Sequence, residues 1–161
     1  MPSKRCCSSV ILVAAVVSAS GLRAQPAGAH VISVEPGPAV VARRGTEVDI
    51  PLRVAIRGGY HINSDKPAED YLIPTNLTWT PGPLALRKVA YPKAESVTYE
   101  FSEKPLLVFS GAIALVSRFA VSAEAPRGAA TLAGKLRYQA CNDKLCLPPK
   151  TLDVSVPLKV E

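Results

Sequence analysis

The sequence of 161 residues contains no apolar run long enough to cross a lipid bilayer. Its longest run covers residues 10–17, whereas a membrane-spanning helix needs about 20 apolar residues. A single Met and a single Trp stand against fifteen Pro and ten Gly. This composition argues against a helical bundle and favours short strands that are joined by turns. We therefore expect one globular domain built from β-strands.

Three kinds of functional signature are also missing or weak. The cations are scattered and are not interleaved with aromatic residues, as a surface that stacks single-stranded nucleic acid would require. No Gly-x-Ser-x-Gly motif of a hydrolase occurs. A zinc site with four ligands is disfavoured, because only His30 and His61 are available besides the cysteines. We expect no nucleic-acid partner, no metal and no cofactor.

Residues 1–29 have the three regions of a secretory signal, which are a basic start, an apolar run and a stretch of small residues. Cleavage after Ala24 and cleavage after Ala29 are both compatible with the sequence. The alternative is an apolar N-terminal strand in a cytosolic protein. Removal of residues 1–29 takes away three cations and no acid, so the formal net charge falls from +6 to +3. We expect a periplasmic or secreted bacterial domain that spans residues 30–161.

Strict alternation of apolar and polar residues predicts two long strands, at residues 47–56 and 152–160. Pro51 lies on the polar face of the first and removes a backbone donor, which predicts an edge position or a bulge. Residues 63–74 lack a strand pattern and are expected to form a surface excursion. Seven to nine short strands predict an immunoglobulin-like antiparallel β-sandwich, and a closed barrel is the alternative. The shorter candidate strands are residues 31–34, 60–62, 76–79, 84–91, 106–116 with a break at Gly111, 119–122 and 131–139.

Two of the four cysteines, Cys141 and Cys146, remain if the signal is removed. The alternation before them predicts that Cys141 faces outward with the polar residues. Asn142 and Asp143 favour a turn that brings the two cysteines within bonding distance. A disulfide that closes so short a loop stabilises a fold by only about 2 kcal/mol. An accessible pair of this kind suits reversible thiol-disulfide exchange, while a passive structural bridge stays open as the alternative.

Four short motifs resemble those of a known family. They are Tyr-Gln-x-Cys at residues 138–141, Cys-x-Pro-Pro at 146–149, Gly-Tyr-His-Ile-Asn at 59–63 and Leu-Ile-Pro-Thr at 72–75. Together they resemble the N-terminal periplasmic domain of the disulfide-interchange reductase DsbD, over nearly the whole mature chain. The resemblance implies an immunoglobulin-like sandwich in which Cys141 and Cys146 are the redox pair.

The resemblance also implies a protective loop, because in that family an aromatic residue on a loop covers the disulfide. The matching segment here is Tyr99-Glu100-Phe101, which makes Phe101 the candidate cap and Glu100 its acidic neighbour. An ordinary core position is the alternative for Phe101. Further candidate neighbours of the pair are Tyr60, His61 and Tyr138.

The partners that the resemblance implies are thiol proteins. A thioredoxin-like or membrane-embedded thiol reductase would donate electrons, and periplasmic disulfide-bearing proteins, such as disulfide isomerases and factors of cytochrome c maturation, would accept them. The sequence contains neither the multi-span region nor the thioredoxin-like domain of full-length reductases, so the electrons are expected from a separate partner. The rival hypothesis is a binding module, an immunoglobulin-like sandwich whose hairpin disulfide is inert.

Overall fold

The computed structural model describes residues 31–35, 37–100 and 102–161. The predicted signal at residues 1–29 and the candidate cap Phe101 lie outside the described residues. The described part of the chain forms twelve strands and no helix. The strands are β1 (Ile32–Glu35), β2 (Val40–Ala42), β3 (Glu47–Ile56), β4 (His61–Asn63), β5 (Asn76–Trp79), β6 (Leu84–Ala90), β7 (Glu95–Val97), β8 (Leu106–Ser110), β9 (Ala112–Val121), β10 (Gly128–Tyr138), β11 (Ala140–Cys141) and β12 (Lys150–Val160).

These strands form three sheets of four strands each. The first sheet has the order β1-β3-β9-β6, the second β2-β12-β10-β5 and the third β11-β4-β8-β7. Neighbouring strands run antiparallel except β2 and β12, which are parallel. The predicted fold class, an immunoglobulin-like antiparallel β-sandwich, is confirmed. Within the described residues, no helix is long and apolar enough to span a membrane.

The core lies between the first and second sheets, as the alternation of the two long strands predicts. The buried apolar side chains of β3, in the first sheet, and of β12, in the second, belong to one cluster. Each such buried side chain stabilises the fold by about 1.5–3 kcal/mol. Trp79 of the second sheet joins the two layers. Its indole N–H donates to the Ser117 hydroxyl at 2.8 Å, and its ring meets Phe119 edge-on at 5.8 Å. Ser117 and Phe119 both lie on β9 of the first sheet.

The prolines of the long strands lie where a second neighbouring strand is missing. Pro51 pairs with Val116 of β9, while β1 pairs with β3 only from Arg53 to Ile56. Pro157 likewise pairs with β10, while β2 pairs with β12 only in the residues that follow Pro157. A residue without an N–H therefore disrupts no pairing on the open side of either strand.

Several predicted strands have different limits in the structure. The break at Gly111 is confirmed, and this residue has a φ of 64°, which glycine adopts without strain. Residues 119–122 do not form a separate strand, because all but the last continue β9. The short strands β2, β7 and β11 were not predicted, since two or three residues are too few to show alternation.

The loop between β4 and β5 is only partly the predicted surface excursion. Tyr71 is 73% exposed, but Ser64 is buried and Leu72 packs against Leu106 and Val108 of β8. Lys104 forms an exposed ion pair with Glu69 of this loop at 2.8 Å. The loop is therefore fastened to the third sheet, which also carries the cysteine pair.

Candidate functional site

The two cysteines form a disulfide at the edge of the third sheet. Cys141 and Cys146 are joined by an S–S bond of 2.02 Å, with their Cα atoms 4.0 Å apart. Cys141 ends β11, which pairs with β4 so that Ala140 lies opposite Ile62 and Cys141 opposite His61. The disulfide is thus held by one short strand that is itself paired to the sheet.

Asn142 shapes the turn between the cysteines. Its side-chain oxygen accepts hydrogen bonds from the backbone N–H groups of Lys144 and Leu145, at 2.9 and 2.8 Å. Its own N–H donates to the Leu145 carbonyl at 2.9 Å. Asn favours such turns because its short side chain can replace a backbone acceptor. The turn predicted from Asn142 and Asp143 is therefore present.

The two cysteines differ in exposure. Cys141 is 1% exposed, whereas Cys146 lies at the surface of the hairpin. The prediction that Cys141 faces outward is wrong. Its register was extended from β10, but β10 ends at buried Tyr138 and the chain passes to a different sheet after Gln139. The change of sheet turns Cys141 inward.

Gln139 and Asn63 connect the hairpin to its surroundings, and sequence reasoning assigned neither a role. The Gln139 amide donates to the Leu147 carbonyl at 3.2 Å, and the Leu147 N–H donates to Ala140 at 2.8 Å. The Asn63 amide donates to the Ile73 carbonyl at 3.0 Å and approaches the Gln139 side-chain oxygen at 3.5 Å. Both residues lie within the motifs on which the family resemblance depends, and these motifs were the one sequence signal that could have pointed to them.

His61 lies on β4, between Cys141 on one neighbouring strand and Ser110 on the other. The residue is only 3% exposed, and its Nε2 atom has no hydrogen-bond partner among the described residues. Burial lowers the pKa of His61 below its ordinary value, because a buried imidazolium loses its hydration. The imidazole is therefore neutral at pH 7.

Tyr99 stacks on His61, with ring centroids 4.4 Å apart and an angle of 21° between the rings. Tyr99 is half-buried, and burial together with the nearby charge of Glu95 raises the pKa of its phenol. Glu100, the predicted acidic neighbour of the cap, is exposed. Tyr99 is the aromatic residue of the proposed cap segment that the structure describes, and its ring contacts His61.

The remaining candidate neighbours of the cysteine pair, Tyr138 and Tyr60, have their contacts elsewhere in the fold. Tyr138 is buried in the core at the end of β10, and burial raises the pKa of its phenol. Tyr60 is half-buried, and the Arg57 guanidinium lies 5.7 Å from the centre of its ring. In the described ranges no three His, Cys, Asp or Glu side chains are grouped so as to hold a metal ion.

The chain matches a known protein family and is similar to solved structures. Residues 29–158 match the family described as thiol:disulfide interchange protein DsbD, N-terminal. The structure is similar to the N-terminal domain of DsbD from Neisseria meningitidis in the reduced form, with 20% identity, 66% of this chain and 74% of that chain covered, and a TM-score of 0.45. It is also similar to the N-terminal periplasmic domain of ScsB from Proteus mirabilis, with 14% identity and a TM-score of 0.50 over 80% of this chain and 44% of that one. A comparison with curated proteins gave no match.

Proposed function

We propose, because the chain belongs to the family of N-terminal domains of the thiol:disulfide interchange protein DsbD, that it relays electrons between proteins through Cys141 and Cys146. The donor is a thioredoxin-like or membrane-embedded thiol reductase. The acceptors are disulfide-bearing proteins of the bacterial periplasm, which the chain reaches through its secretory signal. No cofactor takes part, since thiol-disulfide exchange needs only sulfur atoms and protons.

The observation that carries this proposal is the unequal exposure of the two cysteines. Exchange requires that an attacking sulfur reach the disulfide, and only Cys146 is exposed. Asp143 and Lys144, in the turn between the two cysteines, are exposed as well. A protein partner can therefore approach from the hairpin tip.

Electrons enter when a partner thiolate attacks the Cys146 sulfur. A bond forms between Cys146 and the partner, the Cys141–Cys146 bond breaks, and Cys141 leaves as a thiolate. A second thiol of the partner then attacks the partner sulfur that is bonded to Cys146. The bond between Cys146 and the partner breaks, the partner leaves with an internal disulfide, and the domain keeps two thiols. The dithiol reduces an acceptor disulfide by the reverse sequence, in which Cys146 attacks first and Cys141 displaces the acceptor.

The test has two parts. In glutathione buffers, followed by alkylation, the purified chain should show a reduction potential between about −270 and −120 mV, the range of known exchange proteins. With glutathione disulfide as probe, Cys141→Ser should form a stable mixed disulfide through Cys146, whereas Cys146→Ser should form little. A potential below about −300 mV, or equal trapping by both variants, would contradict the proposal. The first result would favour a binding module with an inert bridge.

A further inference from the structure

The third sheet places a titratable side chain directly beside the buried cysteine. Cys141, His61 and Ser110 are register partners across β11, β4 and β8. Directly opposed residues in antiparallel strands point to the same face, with their Cβ atoms about 4.5–5.5 Å apart. The register therefore places the side chain of His61 in one row between the side chains of Cys141 and Ser110.

The Nε2 atom of His61 is an exception that requires an explanation. Buried polar atoms almost always have a hydrogen-bond partner, because an unpaired one loses its hydration without compensation. His61 is 3% exposed, and no described residue is hydrogen-bonded to its Nε2 atom. In the oxidised protein the neighbouring Cys141 sulfur carries no proton that it could donate.

We propose that His61 Nε2 is the proton acceptor of the Cys141 thiol in the reduced protein. This inference rests on the proposed exchange function and adds a residue to its chemistry. Reduction of the disulfide creates an S–H group next to a neutral imidazole, so the atom that lacks a partner in the oxidised state gains one. Cys141 needs such a base because a buried thiol in apolar surroundings ionises poorly.

The proton transfer belongs to the step in which Cys141 displaces a bound partner. The Cys141 thiol gives its proton to His61 Nε2, and the resulting thiolate attacks the Cys146 sulfur of the mixed disulfide. The Cys141–Cys146 bond forms, the bond between Cys146 and the partner breaks, and the partner sulfur leaves with the electron pair. His61 returns its proton through solvent to the departing thiolate, so the partner leaves as a thiol.

The surroundings hold the imidazole in place without charging it. Tyr99 stacks on one face of the ring. Its phenol, like any ordinary tyrosine, is neutral at pH 7, and burial raises its pKa further. On the far side from Cys141, the Ser110 hydroxyl contacts both carboxylate oxygens of Glu95, at 3.0 and 2.9 Å. Among the described residues, the titratable and polar groups placed beside His61 by strand register or ring contact are Cys141, Ser110 with Glu95, and Tyr99.

The first test uses the unaltered chain. With ¹⁵N-labelled histidine, the ring nitrogens of His61 are compared in the oxidised protein and in protein reduced with a phosphine. We expect a shift of the Nε2 resonance on reduction and an altered His61 titration. A His30→Gln variant assigns the signal, because it leaves His61 as the only histidine. Identical His61 resonances and titrations in both states would overturn the proposal, and this result needs no exchange partner.

The second test follows the displacement step. The reduced chain is mixed with glutathione disulfide and quenched with acid, and the glutathionylated intermediate is measured by mass spectrometry. His61→Phe keeps an aromatic ring against Tyr99 but removes the base, so the intermediate should decay at least about tenfold more slowly at pH 7, where an unassisted thiol is only a few per cent ionised. Near pH 10 the two proteins should converge, since the thiol then ionises without a base.

Equal decay rates at pH 7, or a defect of the same size at every pH, would overturn the role of His61. Failure of the exchange function itself gives a different result, because the unaltered chain would then not react with glutathione disulfide at all. If His61→Phe does not fold, the resonance comparison decides the question alone.

Discussion

The side-chain oxygen of Asn142 accepts the backbone N–H of Leu145 at 2.8 Å, and this contact closes the turn between the two cysteines. The same oxygen accepts the N–H of Lys144. Because the turn keeps the cysteines close together, its stability contributes to the stability of the disulfide. The reduction potential therefore depends on a residue that has no redox chemistry.

Replacing Asn142 with Ala should make the disulfide easier to reduce. Loss of the two hydrogen bonds costs about 1 kcal/mol, which corresponds to a rise of about 20 mV in the reduction potential, because 30 mV equals about 1.4 kcal/mol for a two-electron couple. Equilibration in glutathione buffers measures the change. Asn142→Asp keeps the acceptor oxygen and should stay near the wild-type value, and an equal rise in both variants would contradict the role of that oxygen.

Leu145 should be a contact for protein partners. It is 51% exposed, immediately before the exposed Cys146, and burial of a leucine side chain is worth about 1.5–3 kcal/mol. Because a partner covers only part of it, Leu145→Ser should slow reduction by a thioredoxin about three- to tenfold, while the reaction with glutathione is unchanged. Stopped-flow kinetics distinguish the two.

The matched control is Leu86, another exposed leucine, which is 44% exposed and lies on β6 of the first sheet. Leu86→Ser should leave both reactions at the wild-type rate. If Leu145→Ser slows the thioredoxin and glutathione reactions equally, the leucine supports the hairpin and does not bind the partner.

The sandwich could be predicted from the sequence because its two long strands are buried on one face only. Alternation in β3 and β12 follows directly from that one-sided burial, and β5 was predicted with its observed limits. The third sheet was harder, because β11 and β7 have two and three residues and are defined by their partners, not by their own pattern.

The candidate site, like the third sheet, could be predicted only in part from the sequence. The identity and the turn of Cys141 and Cys146 followed from residue types, whereas the burial of Cys141 depends on the change of sheet after Tyr138. The register that sets His61 against Cys141 joins residues 80 positions apart in the sequence. A single sequence contains no local signal for such a pairing, so only the family motifs indicated that His61 lies near the pair.

Acid should destabilise the protein partly through His61. Its pKa is lowered in the folded state by burial, so as pH falls through about 6.5 the unfolded chain binds a proton that the folded protein does not. The free energy of unfolding contributed by this group is thus complete above about pH 6.5 and decreases as the pH falls towards the lower folded value.

Urea unfolding of the oxidised protein at pH 7.5 and at pH 5 measures this contribution. His61→Phe should lose less stability between these two pH values than the wild type. Carboxylates with lowered pKa values, such as Asp49 and Glu161, are common to both proteins and cancel in the comparison. Equal losses of stability between the two pH values in the wild type and in His61→Phe would show that His61 is not shielded from water.

Gly134 is required by close packing in the second sheet and not by its backbone angles. It pairs with Trp79 of β5, and a Cβ atom at this position would lie 2.5 Å from the Thr78 carbonyl oxygen and 2.6 Å from the Trp79 ring. Because the oxygen belongs to the backbone, β5 itself would have to move.

Gly134→Ala should therefore destabilise the fold by about 1–3 kcal/mol, as overpacked cores do. Gly58→Ala, where a Cβ meets nothing within 4 Å, should change the stability by less than about 0.5 kcal/mol. Thermal unfolding of the two variants measures the difference, and equal melting temperatures would show that β5 yields without cost. The reduction potential should stay unchanged in both variants, since Gly134 and Trp79 lie in the second sheet and the disulfide in the third.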